Sequence, residues 1–215
     1  MVYNVIRSKR KTIAIKITTD CKICVYAPNS CSLNTIEGFI KLKQSWITEK
    51  LKFQQENHIK LQKFLTYESV MIFGDSLDIC DKRNHYLIGD YYIKHTNSNN
   101  KIKALKDFLK KLANNYILSR VNYLAEKLNY KFSDTKIVSS RHYWGSCNSK
   151  KQLKFNFRCI MITKELIDYV ICHELCHLKE MNHGKKFWNL LNELGYKKTD
   201  IKQKFKDFGF VLQLF

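Results

Sequence analysis

Two histidines and a glutamate in the last third of the chain have the residue types and spacing of a hydrolytic metal centre. Residues 173–177 have the sequence His-Glu-Leu-Cys-His. Histidines four residues apart lie on the same face of a helix, about one turn apart, and can bind one metal ion. Neutral imidazole is a good zinc ligand, and Glu174 can take a proton from a water molecule that the metal activates. The alternative is a structural pair, in which His173 and His177 are satisfied within a protein core.

A third ligand is expected close by, because catalytic zinc is held by three protein ligands and keeps one position for water. His183 follows His173 by ten residues. This is the metzincin spacing, in which the helix ends and the chain turns back to the metal. The glycine of that pattern is replaced here by Glu180, so we expect the turn at 181–182. Glu193, on the following helix, is the alternative third ligand.

The helix that carries the two histidines is predicted to be largely buried. Four apolar residues lie among them: Val170, Ile171, Leu175 and Leu178. They predict a helix from about 164 to 180. Unpaired polar groups on a buried helix are costly, which favours a functional role for the histidines and Glu174. Another helix is predicted to begin near Gly184 and to include Phe187 and Trp188.

The segment before these helices is predicted to complete the same region. An amphipathic helix over 105–128 is followed by two strands, at 136–142 and 152–157, which are joined through 144–150. We expect the strand at 152–157 to lie at the edge of a small sheet. An edge strand can bind an extended peptide by strand addition, which makes a polypeptide the expected substrate.

Two residues near the connecting segment are candidates for substrate binding. Gly145 lets the backbone approach a substrate closely. Alternatively, the segment 144–150 is a packed hairpin turn with Trp144 in the core. Arg141 can polarise a carbonyl or pair with a carboxylate, or it forms a structural ion pair. The sequence leaves both alternatives open.

The first part of the chain is predicted to be rich in strands. Short apolar runs at 12–17 and 23–26 predict a hairpin. Ser32 can cap a helix from about 36 to beyond 51. The apolar stripe of this helix comprises Phe39, Ile40, Trp46, Ile47 and Leu51.

Four more strands precede a polar stretch that resembles a linker. The strands are predicted at 69–73, 76–79, 86–88 and 91–93. Because the stretch 95–101 is polar and rich in asparagine, we place a domain boundary within it. The prediction is an α+β protein with a β-rich N-terminal region, 1–96, that contains one helix, and a catalytic region, 97–215.

Composition restricts the class of protein. Hydrophobic residues make up 45% and charged residues 27% of the 215 residues, which is typical of a folded globular protein. No apolar run approaches the roughly 18 residues of a membrane-spanning helix. The first residues, MVYNVIRSKRK, lack the apolar run of a secretion signal, so we expect a cytoplasmic protein. The eight cysteines are accordingly predicted to be reduced thiols.

The formal net charge of +19 is the most unusual bulk property of the chain. It raises the hypothesis of non-specific binding to nucleic acid. Only six of the 38 basic residues are arginines, whereas sites for phosphate or bases usually favour the planar fork of arginine. The alternative is therefore a solvated, lysine-rich surface.

Several segments in combination resemble the YgjP-like metallopeptidases. These belong to the minimal zincins, together with the SprT and Spartan-type proteases. The segments are Arg7–Lys16, Val25–Pro28, Arg141–Cys147, Leu153–Asn156, Asp168–His177 and Met181–Trp188. The resemblance therefore spans nearly the whole chain.

The resemblance implies a zincin-like catalytic region behind a β-rich N-terminal region, in a cytoplasmic bacterial enzyme. By position, His173, His177 and His183 match the zinc ligands of the family, and Glu174 matches its catalytic glutamate. Asn156 matches a family asparagine near the active-site strand, and we count it among the candidates for substrate binding. Two departures leave the metal unaffected: Cys176 replaces the usual alanine, and Thr163-Lys164 replaces a frequent proline.

The sequence thus predicts a zinc-dependent metallohydrolase, specifically a peptidase with one Zn²⁺ per chain and Glu174 as general base. Its expected partner is a polypeptide substrate. The alternative is a nucleic-acid-associated protein, or a protease recruited to DNA, whose basic surface carries the function and whose zinc is mainly structural.

Overall fold

The computed structural model describes residues 2–18, 20–66, 68–82, 85–94 and 101–214. The chain divides into two compact units, residues 1–63 and 64–215. Both contain helices and strands, which confirms the α+β class.

The first unit is built on a three-stranded sheet with the order β1-β3-β2. Its elements are β1 (Asn4–Ser8), β2 (Ala14–Ile17), β3 (Ile23–Pro28), α1 (Leu33–Leu42) and α2 (Gln44–Leu65). Strands β2 and β3 pair antiparallel, which confirms the predicted hairpin. Strand β1 pairs parallel with β3 and was not predicted.

The core of this unit lies between one face of the sheet and helices α1 and α2. Alternate residues of β3 are buried, as expected for a half-buried strand. Ser32 caps α1 by accepting a hydrogen bond from the backbone N–H of Thr35. The single helix predicted here is interrupted at Lys43. Ile47 of α2 is buried in the same cluster as Ile36 and Ile40 of α1. Trp46 is 43% exposed and does not belong to the predicted stripe.

A four-stranded antiparallel meander opens the second unit. Its strands are β4 (Ser69–Ile72), β5 (Asp75–Lys82), β6 (His85–Ile88) and β7 (Tyr91–Lys94). All four strands were predicted. Phe73 and Gly74 form the first turn with positive φ angles of 54° and 92°. The backbone N–H of Phe73 donates to the carbonyl of Ile160 at 2.7 Å, so the meander is tied to the segment that precedes the histidine helix.

The sheet next to the candidate site has three strands and the order β8-β10-β9. They are β8 (Asp134–Val138), β9 (Gly145–Cys147) and β10 (Gln152–Asn156). Strand β10 pairs parallel with β8 and antiparallel with β9. The expectation that residues 152–157 form an edge strand is therefore wrong. The intervening segment itself contributes β9, which leaves β10 in the centre and β9 at an edge.

The α-helices of the second unit are α3 (Lys101–Lys127), α4 (Lys164–Cys176), α5 (Lys185–Glu193) and α6 (Lys198–Lys206). Helices α3 and α4 pack against the sheet β8-β10-β9, and α5 and α6 pack against α4. Arg120 of α3 forms a bidentate ion pair with Asp168 of α4, with both N–O distances at 2.7 Å. This pair fixes the position of the helix that carries the histidines. Helix α6 was not predicted.

Helix α4 has a capping residue at each end. The side chain of Thr163 accepts a hydrogen bond from the N–H of Leu166 and caps the start. The helix ends at Cys176, with His177 as the C-terminal cap residue, and not near 180 as predicted. Turn residues follow at 177–179, and the chain bends again at 181–182, where the turn was expected.

The division into compact units differs from the boundary that the sequence analysis places between 96 and 97. The meander belongs to the second unit, since Phe73, directly after β4, is hydrogen-bonded to the short 3-10 helix Phe157–Met161. The linker-like stretch at 95–100 lies outside the described residues. A functional division at 96/97 stays a prediction.

Candidate metal centre

His173, Glu174 and His177 lie in the last turn and at the C-terminal cap of helix α4. The side chains of Glu174 and His177 are only 6% and 8% exposed, and that of His173 is half-buried. Their helix is apolar on its remaining faces, where Leu166, Ile167, Ile171 and Leu175 are buried. These polar groups therefore lie at the end of a core and not on an open surface.

His183 reaches the same place from the start of helix α5. The helix begins after Gly184, and the indole N–H of Trp188 donates to the carbonyl of His183 at 3.0 Å. The Nε2 atoms of His183 and His173 are 2.9 Å apart. The ligand atoms of the three histidines all lie within 4.8 Å of one another. In the described part of the chain, Glu193 does not join this group; it is exposed at the last residue of α5.

Neighbouring groups position the imidazole rings through contacts at Nδ1 and through aromatic stacking. The Nδ1 atom of His173 lies 3.2 Å from the hydroxyl of Tyr169, and Nδ1 of His177 lies 3.0 Å from the carbonyl oxygen of Glu180. The ring of Phe187 stacks on His177 with centroids 4.5 Å apart. The carbonyl of Glu180 can only accept, so Nδ1 of His177 carries the hydrogen and leaves Nε2 as the coordinating atom. At His173 the tyrosine hydroxyl occupies Nδ1 and likewise leaves Nε2 for a metal.

The three rings fit a zinc ion. Zn–N bonds of 2.0–2.1 Å in a tetrahedral site place the ligand nitrogens about 3.3 Å apart, close to the spacing of His173 and His183. Burial, together with the nearby His177 and His183, lowers the pKa of His173 to about 3. Burial also lowers the pKa of His177. Burial thus favours the neutral form of His173 and His177, the form that binds metal.

Glu174 lies between the histidines and strand β9. Burial raises the pKa of its carboxyl group to about 8. A Cβ atom added at Gly145 would lie 2.7 Å from Cγ and 2.8 Å from Oε1 of Glu174. No side chain can be accommodated at that separation without movement of the carboxylate or of the strand. The glycine therefore allows β9 to pack directly against Glu174.

The Gly145→Ala variant tests this close packing. We expect an unfolding free energy lower by about 1–3 kcal/mol, as for other overpacked sites. Displacing a catalytic group by about 1 Å can lower activity by about 10²-fold. Denaturant unfolding and hydrolysis of labelled casein measure the two effects. Gly38→Ala is the control, since nothing lies within 4 Å of its added Cβ. Equal behaviour of the two variants would contradict the packing argument.

A cavity of about 480 Å³ opens beside His173 and Glu174. Its walls come from β9 and the loop before it, from α4, from the start of α5 and from one face of α6. The lining residues are Tyr143, Trp144, Gly145, Tyr169, Val170, His173, Glu174, Trp188, Lys198, Ile201, Lys202 and Phe205. The cavity is mostly apolar and has the size of sites for small ligands or peptide side chains.

Asn156 supports one wall of the cavity from behind. It is completely buried, and its amide nitrogen donates to the carbonyls of Ser140 and Tyr143 at 2.6 and 2.9 Å. Arg158, also buried, donates to the carbonyls of Ser140 and Leu214. These bonds hold the loop that carries Tyr143 and Trp144. The geometry thus gives Asn156 a positioning role, and direct contact with substrate finds no support in it.

The other two candidates for substrate binding are placed differently. Gly145 lines the cavity, whereas Arg141 is exposed and is not among the lining residues. Trp144 is half-buried, and its ring centroid lies 5.7 Å from that of Phe205. The segment thus forms the first strand of the β9–β10 hairpin beside the cavity, with Trp144 packed on Phe205. An approach of substrate to Gly145 stays a prediction.

Sequence reasoning missed the part of the site that comes from α6. Four lining residues, Lys198, Ile201, Lys202 and Phe205, are spaced i, i+3, i+4 and i+7 on that helix. This periodicity is the available signal for a helical face. It is weak here because two of the four positions are lysines.

Comparison with known proteins identifies the family. The model of the YgjP-like metallopeptidase domain matches residues 11–208. The chain belongs to the YgjP-like metallopeptidase family. It is also similar to the metallopeptidase zymogen of Methanocaldococcus jannaschii jannalysin, with 29% identity, 46% of this chain and 97% of that chain covered, and a TM-score of 0.37. The comparison with curated proteins gave no match.

Family membership confirms the resemblance found in the sequence and makes the protein a metallopeptidase. The comparisons lend no support to a nucleic-acid partner. Within the described residues, no helix has the length and apolar character needed to cross a membrane.

Proposed function

We propose that the protein is a zinc-dependent peptidase with His173, His177 and His183 as metal ligands and Glu174 as general base. The observation that carries the proposal is the convergence of the three imidazoles beside a buried carboxyl group. The Nε2 atoms of His173 and His183 are 2.9 Å apart, a distance that a shared hydrogen bond would also explain. The third ring, His177, has a ligand atom within 4.8 Å of both, and this convergence favours a shared metal ion over a structural pair.

The proposed chemistry divides between the metal and the chain. Zinc held by the three histidines would act as a Lewis acid toward a water molecule and the substrate carbonyl. Glu174 removes a proton from the attacking water and then delivers it to the nitrogen of the leaving amine. Its burial in the wall of the cavity keeps the carboxyl group out of bulk water.

The edge of strand β9 is the proposed docking site for the peptide backbone. In the order β8-β10-β9, one side of β9 remains without a strand partner among the described residues. Gly145, in β9, packs against Glu174. An extended peptide that adds to this edge therefore passes directly by the general base. This assigns to β9 the role that the sequence analysis gave to residues 152–157.

Zinc content and hydrolysis together test the proposal. We expect about one equivalent of zinc per chain, as for a single three-histidine site, and hydrolysis of casein that a chelator abolishes and zinc restores. Elemental analysis and release of labelled fragments measure the two. Less than about half an equivalent after zinc supplementation, without better loading by manganese, iron or cobalt, would contradict the assignment.

A further inference from the structure

Helix α6 presents a mixed face to the catalytic cavity. Ile201 is buried there, and Phe205 is half-buried. Lys198 and Lys202 lie on the same face, at positions that would be apolar if the face only packed against a core. The aliphatic parts of lysine side chains can cover apolar surface while the ammonium groups stay in water. The two lysines thus add positive charge to the rim of an otherwise apolar cavity.

Aromatic rings form most of the remaining wall. The ring of Phe205 lies 5.7 Å from that of Trp144 and 5.9 Å from that of Tyr169, measured between centroids. Trp188 closes another side, and the Nζ atom of Lys198 lies 4.3 Å from its ring centroid. This contact holds Lys198 over the cavity. The walls suit a large apolar or aromatic side chain.

The charges of the two lysines are not neutralised locally. Lys204, on the same helix, pairs with Glu165, and the Nζ atom of Lys206 contacts Gln203. Within the described ranges, neither Lys198 nor Lys202 has a carboxylate within ion-pair distance. The one acidic residue in the described lining is Glu174, which is buried. The cavity rim is therefore complementary to an anionic group.

We propose that the cavity selects polypeptide segments in which a large apolar or aromatic side chain adjoins a carboxylate. The inference rests on the proposed function, since it names the substrate class of the same site. The apolar side chain fills the aromatic pocket, and the carboxylate lies between Lys198 and Lys202. Such a carboxylate is either the C-terminal group of a peptide or the side chain of an adjacent Asp or Glu. A lysine pair accepts both, because each ammonium group acts as a point charge.

Four peptides test the inference. They are Ac-Ala-Ala-Phe with a free C-terminus, the same peptide as an amide, Ac-Ala-Ala-Phe-Glu-amide and Ac-Ala-Ala-Phe-Gln-amide. Comparison of charged with neutral peptides gives the contribution of the carboxylate to the binding affinity. Comparison of the two charged peptides shows whether a C-terminal or a side-chain carboxylate is preferred. Calorimetric titration into the zinc-loaded Glu174→Gln protein measures affinity without turnover. At low salt we expect at least one carboxylate peptide to bind about fivefold to tenfold more tightly than its neutral counterpart. The peptide that gains identifies the source.

The variant Lys198→Gln with Lys202→Gln should remove this preference and leave the affinity of the two neutral peptides within about twofold. Lys197→Gln with Lys206→Gln is the matched control. It removes the same charge from the same part of the chain at residues that do not line the cavity, and it should retain the preference. Equal affinity for all four peptides, or a preference that survives in the Lys198 and Lys202 variant, would overturn the inference.

Cleavage by the wild-type protein separates this inference from the peptidase proposal. Hydrolysis of casein together with equal binding of the four peptides would sustain the peptidase and refute the selectivity. Lysine-dependent binding of carboxylate peptides without any hydrolysis would refute the peptidase and leave the carboxylate site standing.

Discussion

The Glu174→Gln variant should lose about 10²- to 10⁴-fold in kcat for casein hydrolysis, the usual contribution of a general acid–base group. Glutamine has nearly the same shape as glutamate and fits the space between Gly145 and the histidines. It cannot accept the proton of the attacking water. Because Glu174 is not among the three converging ligands, the variant should keep its zinc and its fold.

Two measurements on the same preparation test this expectation. Elemental analysis should give the wild-type zinc content, and thermal unfolding should give a midpoint at or above that of the wild type, since the variant buries no ionisable carboxyl group. Loss of zinc from Glu174→Gln would show that the carboxylate is a ligand. Unchanged kcat would remove it from the mechanism.

The His183→Ala variant should release the metal. A change in a group that only supports a metal ligand typically costs 10- to 100-fold in metal affinity, so loss of a ligand should cost more than about 100-fold. His173 and His177 alone leave zinc with two protein ligands, one fewer than catalytic sites use. Competition with a chromogenic chelator measures the change in affinity.

Glu193→Ala is the matched control for this variant. Glu193 ends helix α5, the helix that His183 precedes, but its side chain is exposed and lies outside the histidine group. Zinc affinity of this variant should equal that of the wild type. The reverse pattern, with metal lost from Glu193→Ala and kept by His183→Ala, would make the protein a zincin of the glutamate type.

Helical spacing is the reason that the histidine cluster could be proposed from sequence. His173 and His177 are one turn apart on α4, and any helix through them points both rings the same way. The support of the rings is only partly a matter of spacing. Tyr169 precedes His173 by one turn on α4, so the same argument could have found it. Phe187 is an ordinary apolar residue in sequence, and only the packing of α5 on α4 brings it to His177.

The elements that were missed have weak local patterns. Strand β1 is largely exposed, and its pairing with β3 depends on contacts distant in sequence. Strand β9 has three residues, too few for an alternation to be recognised. Its presence decides which strand lies at the sheet edge, so residues 152–157 were wrongly expected there. Tertiary pairing settles such cases where local preference does not.

Two of the three tryptophans, Trp144 and Trp188, line the catalytic cavity. The remaining one, Trp46, belongs to the other compact unit. Indole emission responds to the polarity of its surroundings, so two of the three indoles can report on the place where a substrate would displace water. In a Trp46→Phe background, a change in the tryptophan emission spectrum would report binding in the cavity without a label.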